Sequence, residues 1–174
     1  MRPLLTFMRI FFAENFIPSE SDFKNSTELI AYIRHRYGNY FCIGSAGFPG
    51  EDEKLLHLKE KVDAGVDFLI TQAFFDGNIY KKFTEQCKTM NIHIPIIPGI
   101  FPFDSAKELQ VILNLCKIHF TSDLTDLIHF TTGNEIVLNL IENLKVKNNV
   151  KHFHFFTLNK FQRTIKIIKQ IYCE

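Results

Sequence analysis

The stretch Leu58-Lys59-Glu60-Lys61-Val62-Asp63-Ala64-Gly65-Val66-Asp67-Phe68-Leu69-Ile70-Thr71-Gln72-Ala73-Phe74-Phe75 changes its period halfway along. Leu55, Leu58 and Val62 recur at i, i+3 and i+7, which predicts a helix from about Glu53, and Gly65 just after Ala64 supplies its C-terminal stop. Phe68 to Phe75 is a short apolar run that reads as a buried strand. The same exchange of periods spreads outward in both directions. Upstream, Ser26 is the expected cap of a helix carrying Leu29, Ile30, Ile33 and Tyr37. Gly38 ends that helix, and a strand over Tyr40–Ala46 stops at Gly47 and Pro49. Downstream, helical spacing through Ile79, Phe83, Cys87 and Met90 gives way to a strand at Ile94–Ile97, bounded by Pro98-Gly99. Leu109, Ile112, Leu113 and Cys116 mark the next helix.

From Thr121 to Lys147 only helical pieces are expected, near Leu124–Ile128 and at Ile136–Leu144. Val150–Thr157 alternates around Phe153 and Phe155 as a fourth strand, and Gln162–Tyr172 closes as a helix. Four strands each followed by helix imply parallel pairing with right-handed crossovers. Such units build either an open doubly wound sheet or part of an eight-unit barrel. The glycines of Gly44-Ser45-Ala46-Gly47-Phe48-Pro49-Gly50 are wrongly spaced for a dinucleotide fingerprint, and no P-loop occurs.

With 174 residues, 46% hydrophobic, the chain is the size of one soluble domain. A formal charge of +1 supplies no broad surface for nucleic acid or anionic membrane. The 19 Phe and absent Trp read as biased base composition. Cys42, Cys87, Cys116 and Cys173 lie far apart without a C-x-x-C pair, so they are expected as reduced, packed thiols. Met1 to Phe12 is basic and apolar, but Arg9 interrupts it and no small-residue cleavage site follows. Residues 1–21 therefore remain an unassigned segment, and the expected location is cytoplasmic.

In parallel βα folds functional groups gather at the C-terminal ends of strands. That rule selects Ser45, Ala46 and Phe48, then Thr71 and Gln72, then Pro98, Gly99 and Phe101, and finally Thr157, Asn159 and Lys160. Gln72 is an amide inside an apolar strand, and two readings stand for it: ligand recognition, or a bridge to neighbouring backbone. His57 and Lys61, four apart on one helix, either face one anion together or form part of a solvated face with Glu60. His152 and His154 share a strand face, but no third ligand accompanies them, so no metal site is expected.

Three blocks carry a resemblance. Leu58 to Asp76, Ile96-Ile97-Pro98-Gly99-Ile100-Phe101-Pro102, and His154-Phe155-Phe156-Thr157-Leu158-Asn159 are together similar to the methylenetetrahydrofolate reductase family, over roughly Asp22 to Ile171. The resemblance implies a (βα)8 TIM barrel of which residues 22–174 form the C-terminal half, since an eight-unit barrel takes about 250 residues. It implies FAD as cofactor, NAD(P)H as electron donor, and reduction of 5,10-methylenetetrahydrofolate to 5-methyltetrahydrofolate.

By the same resemblance Gln72 would hydrogen-bond the folate's pterin, and Phe156 would take the place of a substrate-side tyrosine. Lys160 would replace an arginine and meet the folate's glutamate carboxylate as a point charge. Ala46, Phe48, His57 and Lys61 would line the FAD site, with Phe48 in the place of a tyrosine. Two departures accompany these matches. The loop Pro49-Gly50-Glu51-Asp52-Glu53 is shorter than the family's, and Lys54 stands where a flavin-contacting aspartate is expected. The family's general acid is expected on strands preceding Asp22, so no catalytic residue is assigned. The alternative is a non-catalytic descendant that keeps a folate- or partner-binding surface. The expected partners are the folate, a second copy of the chain or a second half-barrel.

Overall fold

A computed structural model describes residues 4–7, 23–116, 118 and 132–172. The expected helical piece near Leu124–Ile128 and Cys173 lie outside the described residues. The strands are β1 (Leu4–Phe7), β2 (Cys42–Gly47), β3 (Phe68–Ala73), β4 (Ile96–Ile100) and β5 (His154–Phe155), in the sheet order β1-β2-β3-β4-β5. The helices are α1 (Ser26–Tyr37), α2 (Leu55–Asp63) after a 3-10 turn at Asp52–Lys54, α3 (Gly77–Thr89), α4 (Ala106–Cys116), α5 (Gly133–Asn148) and α6 (Phe161–Tyr172). Leu4 lies opposite Cys42, Gly44 opposite Phe68 and Gly99 opposite His154, all in parallel ladders. Strands that follow one another across the sheet in chain order, with no reversal, are singly wound. The chain is therefore a partial (βα)8 barrel, and the doubly wound alternative falls because it needs a switch point. No described helix is long and apolar enough to cross a membrane.

The structure differs from the sequence reading in four places. β1 lies inside the segment to which no element was assigned, because so short a run, Leu-Leu-Thr-Phe, shows no clear alternation and resembles the apolar start of a leader. The cap of α1 is Asn25, one residue before the expected Ser26: its Oδ1 accepts the Glu28 N–H at 2.9 Å. Pro98-Gly99, expected to end the third strand, lies within β4 and is buried. The fourth strand pairs only at His154–Phe155. Gly38, at φ +52, closes α1 with its N–H on the Arg34 carbonyl at 2.9 Å.

The molecule divides into two packed units, residues 1–71 with 82–97, and residues 72–81 with 98–174. In the first, Ile30 and Ile33 of α1, Leu58 of α2 and Phe83 and Cys87 of α3 close over Ile43, Val66, Leu69 and Ile92. Strand alternation then decides what each side chain can do. Ile43 and Leu69 point into this core, so Gly44, Ala46, Phe68, Ile70 and Gln72 belong to the opposite face of their strands. Gly44 is small because the Phe68 ring lies across it: a Cβ there would sit 2.4 Å from the ring.

At the N-terminal ends of β2 and β3, Arg34 ties four chain segments together. Its Nε and Nη2 donate to the Gly65 carbonyl at 2.8 and 2.6 Å, and its Nη1 donates to the carbonyls of Phe41 at 2.9 Å and Gly38 at 3.1 Å. Nη2 also meets Asp67 at 2.6 Å, and the same carboxylate oxygen accepts the Ile43 N–H at 2.6 Å. Gly65 takes φ +116, and a Cβ there would lie 2.7 Å from Arg34 Cγ.

In the second unit Phe75 and Phe103 meet edge-on at 5.6 Å, and Leu109, Ile112, Leu113, Ile136, Val137, Leu140, Ile141, Leu144 and Ile167 are buried. A capping box starts α5: Thr132 Oγ1 accepts the Glu135 N–H, and Glu135 Oε2 accepts the Thr132 N–H at 3.0 Å. The next residue, Gly133, lies so close to β4's continuation that a Cβ would be 2.2 Å from the Phe103 carbonyl oxygen. Cys42, Cys87 and Cys116 are free thiols, and burial pushes Cys87 up to about 11.

Candidate functional site

Each unit carries its own group of expected site residues. In the first, Ala46 is buried near the end of β2, opposite Ile70. Phe48 follows immediately, and Gly50, at φ +87, turns the chain so that the Glu51 N–H reaches back to the Phe48 carbonyl at 3.2 Å. This turn folds Lys54 over Phe48, with Nζ 4.1 Å from the ring centroid and 2.5 Å from Glu51 Oε2.

His57 and Lys61 part company here. His57 is exposed and bonds Glu60 through Nδ1 at 3.1 Å, as a solvated face would have it. Lys61 is half-buried, and no carboxylate pairs with it among the described residues. The nearby acids are engaged elsewhere: Glu51 with Lys54, Asp52 with Lys82 at 2.8 Å, Glu60 with His57 and Asp63 with Lys59. Glu53 is exposed. Burial, and then the charge of Lys54, hold the Lys61 ammonium below its usual range. A desolvated cation near a second cation that lies over an aromatic ring is a donor set suited to an anionic group attached to a planar one. FAD is of that kind.

In the second unit, Gln72 Nε2 donates to the Cys116 carbonyl at 2.7 Å. That carbonyl is one of the acceptors left over at the end of α4, and a carbonyl can only accept. The amide is thereby oriented, with Oε1 left as an acceptor. The backbone bridge is thus present, and it aims the rest of the group. Phe156 is half-buried, edge-on to His154 at 4.7 Å, and its N–H bonds the Ile100 carbonyl at 2.9 Å. Burial lowers the His154 pKa.

Leu158 and Asn159 both take positive φ, +43 and +64, which brings Lys160 back so that its N–H meets the Thr157 carbonyl at 2.8 Å. The Lys160 ammonium does not stand free: it lies 2.5 Å from Glu108 Oε1. Arg163 meets Asp104 at 2.5 Å and Glu108 at 2.9 Å, and donates to the Pro102 carbonyl at 3.0 Å. Lys160, then the Asp104 N–H and Arg163, hold Glu108 down to about 2. A groove of about 750 Å³ opens beside this cluster, lined by Asp104, Asn134, Arg163, Lys166 and others. Of the expected site residues it touches Lys160. Lys54, Glu108 and Arg163 were not singled out as ligands from sequence. Their spacing gives a partial signal: Arg163 is three residues after Lys160, and Lys54 is seven before Lys61.

Among known proteins, the family model described as methylenetetrahydrofolate reductase matches residues 12–172. The chain is 32% identical over 177 residues to methylenetetrahydrofolate reductase 2 of Saccharomyces cerevisiae, covering 91% of this chain and 30% of that protein. It is 31% identical to methylenetetrahydrofolate reductase (NADH) 1 of Zea mays, covering 91% of this chain and 31% of the maize protein. It thus spans under a third of these relatives' length. Among solved structures, a Clostridium thermocellum protein titled as binding two copies of 5-methyl-5,6,7,8-tetrahydrofolic acid shares the fold, with TM-score 0.59 and 18% identity over 81% of this chain and 57% of that one.

Proposed function

This chain belongs to the methylenetetrahydrofolate reductase family, and from that premise we propose that it binds FAD and a folate in the reduction of 5,10-methylenetetrahydrofolate to 5-methyltetrahydrofolate by NAD(P)H. The observation that carries the reading is the half-buried Lys61 ammonium, without a carboxylate partner among the described residues, near Lys54, which itself lies over the Phe48 ring. When bound, FAD supplies the hydride relay between nicotinamide and folate. The chain's own residues do the holding. Lys61 neutralises the anionic part of the cofactor, Phe48 offers it an apolar face without the hydroxyl of a tyrosine, and Ala46 leaves room at the strand end. Gln72, oriented by the Cys116 carbonyl, presents Oε1 to a ring N–H of the pterin. Phe156 supplies apolar surface. Lys160 meets the glutamate carboxylate in competition with Glu108, so this contact is weaker than a free lysine would give.

A second reading is a folate-binding chain without reductase chemistry, in keeping with the 5-methyl-5,6,7,8-tetrahydrofolic acid that the Clostridium thermocellum protein binds. One set of titrations separates the two. Purified chain is titrated with FAD, following quenching of flavin fluorescence, and with 5-methyltetrahydrofolate by calorimetry. Under the flavin reading Lys61→Glu abolishes FAD binding and Gln72→Ala weakens the folate alone, about tenfold for a lost hydrogen bond that leaves a buried partner. Folate binding with no FAD binding sinks the flavin reading and leaves the second. Neither ligand binding sinks both.

A further inference from the structure

Helix α6 carries more apolar surface than its own unit covers. Thr164 and Ile167 are its buried residues and define the side turned to the unit. Phe161, Ile165, Ile168 and Tyr172 lie next to that side, yet they are between 38% and 57% exposed. Their spacings of four, three and four residues confine them to a strip about 60° wide around the axis. A strip that narrow, in alternating steps of three and four, is the seam that a second helix packs into, each side chain filling a hole on the partner. Cations border it. Lys169 stands beside the seam on α6, with Lys166 further round, and neither meets a carboxylate among the described residues. At the far end, Lys145 of α5 holds its Nζ 5.7 Å from the Tyr172 ring centroid. α6 itself contains no acid.

We propose that this seam docks an amphipathic helix of a partner protein, apolar along one stripe and bearing Glu or Asp on its margins. It owes nothing to the flavin or folate reading. Three occupants compete for such a face, and its surroundings choose between them. A second copy of α6 would set Lys169 against cations, which opposes self-pairing. A lipid surface is flat, whereas the cations beside the seam line a groove of about 750 Å³ whose lining holds four cations and one acid, Asp104. Carboxylates on the margin of a docked helix reach into such a groove, where the amides of Gln162 and Gln170 are further donors. Lys160 and Arg163 already have acids, so Lys166 and Lys169 are left to meet those of the partner. The seam then supplies the burial and the lysines select the charge.

The probe is a fluorescein-labelled synthetic helix of about four turns, with Leu at the seam positions and Glu on both margins. A control peptide carries Lys in place of each Glu. In anisotropy titrations with the full chain, the Glu peptide should bind about tenfold tighter than the Lys peptide, or more. Ile165→Asp should weaken the Glu peptide about tenfold, and Lys166→Glu with Lys169→Glu should reverse the preference between the two peptides. These side chains are exposed, so the far-ultraviolet circular dichroism should not change. Equal affinity for the two peptides, or binding of neither, overturns the proposal. An unchanged preference in the double charge variant does the same. Co-sedimentation with vesicles of phosphatidylcholine and phosphatidylglycerol that Ile165→Asp abolishes would assign the seam to lipid instead. A dimer in sedimentation equilibrium that Ile165→Asp dissociates would assign it to a second copy. Either result overturns the partner helix.

Discussion

Replacing Arg34 with alanine tests the account of how β2 and β3 are joined at their N-terminal ends. The side chain makes five hydrogen bonds, to the carbonyls of Gly38, Phe41 and Gly65 and to Asp67, and is 15% exposed. Its removal leaves the Gly65 and Phe41 carbonyls short of a donor and the Asp67 carboxylate, 27% exposed, without its cation. Breaking a fully buried pair costs about 3–5 kcal/mol. Water can reach part of this one, so about 3 kcal/mol is expected, a large share of the roughly 5–15 kcal/mol that holds a domain together. With a urea slope of about 1.5 kcal/mol/M, the midpoint should fall by about 2 M. Urea unfolding is followed by circular dichroism and tyrosine fluorescence, since the chain has no Trp. Arg34→Lys, which keeps the charge and loses the fork, should cost about half as much. Gly65→Ala should cost less in the Arg34→Ala background than in wild type, because the Arg34 side chain it would strike is gone. A loss under about 1 kcal/mol for Arg34→Ala, or strict additivity with Gly65→Ala, would refute the clamp.

Three further expectations follow from other contacts. Gly133→Ala places a methyl 2.2 Å from a backbone oxygen that cannot rotate away, so it should destabilise by about 3 kcal/mol or prevent folding, read from soluble yield and thermal midpoint. Glu108, held down to about 2 in the folded chain, contributes stability that is present above its ordinary 4.5 and is lost as the pH falls from there toward 2. Glu108→Gln should therefore flatten the acid side of a plot of thermal midpoint against pH. Because the folded state opposes the charge on Lys61, Lys61→Met should raise the stability read from urea unfolding slightly, by about 0.5 kcal/mol, while abolishing anion binding. Equal loss of stability and binding in that variant would mark Lys61 as structural.

The alternation of helix and strand is legible because Gly65, Gly38 and the shift from helical to strand period are local signals. β1 is not, since Leu4–Phe7 becomes a strand only through its ladder to β2, and a run of four residues is too short to carry a period. Asn25 and Ser26 both suit a cap, and the sequence offers no way to choose until the Glu28 N–H is placed. At the site, residue types at strand ends pointed to Gln72, Phe48 and Lys160, but their partners are remote. Cys116 is 44 residues from Gln72, and Glu108 is 52 from Lys160. Lys54 needed the turn at Gly50 before its seat over Phe48 could be seen.

The alternation within β3 also sets which genetic changes the chain tolerates. Leu69 belongs to the core and Gln72 to the opposite face, so one short segment writes two messages in alternate letters. A substitution damages one message. Removing one in-frame codon between Phe68 and Ala73 exchanges them, sending the amide into the core and the apolar residues outward. Loss of two codons keeps the parity and only shortens the strand. In a deletion scan of this segment, lesion size should matter less than whether it is odd or even.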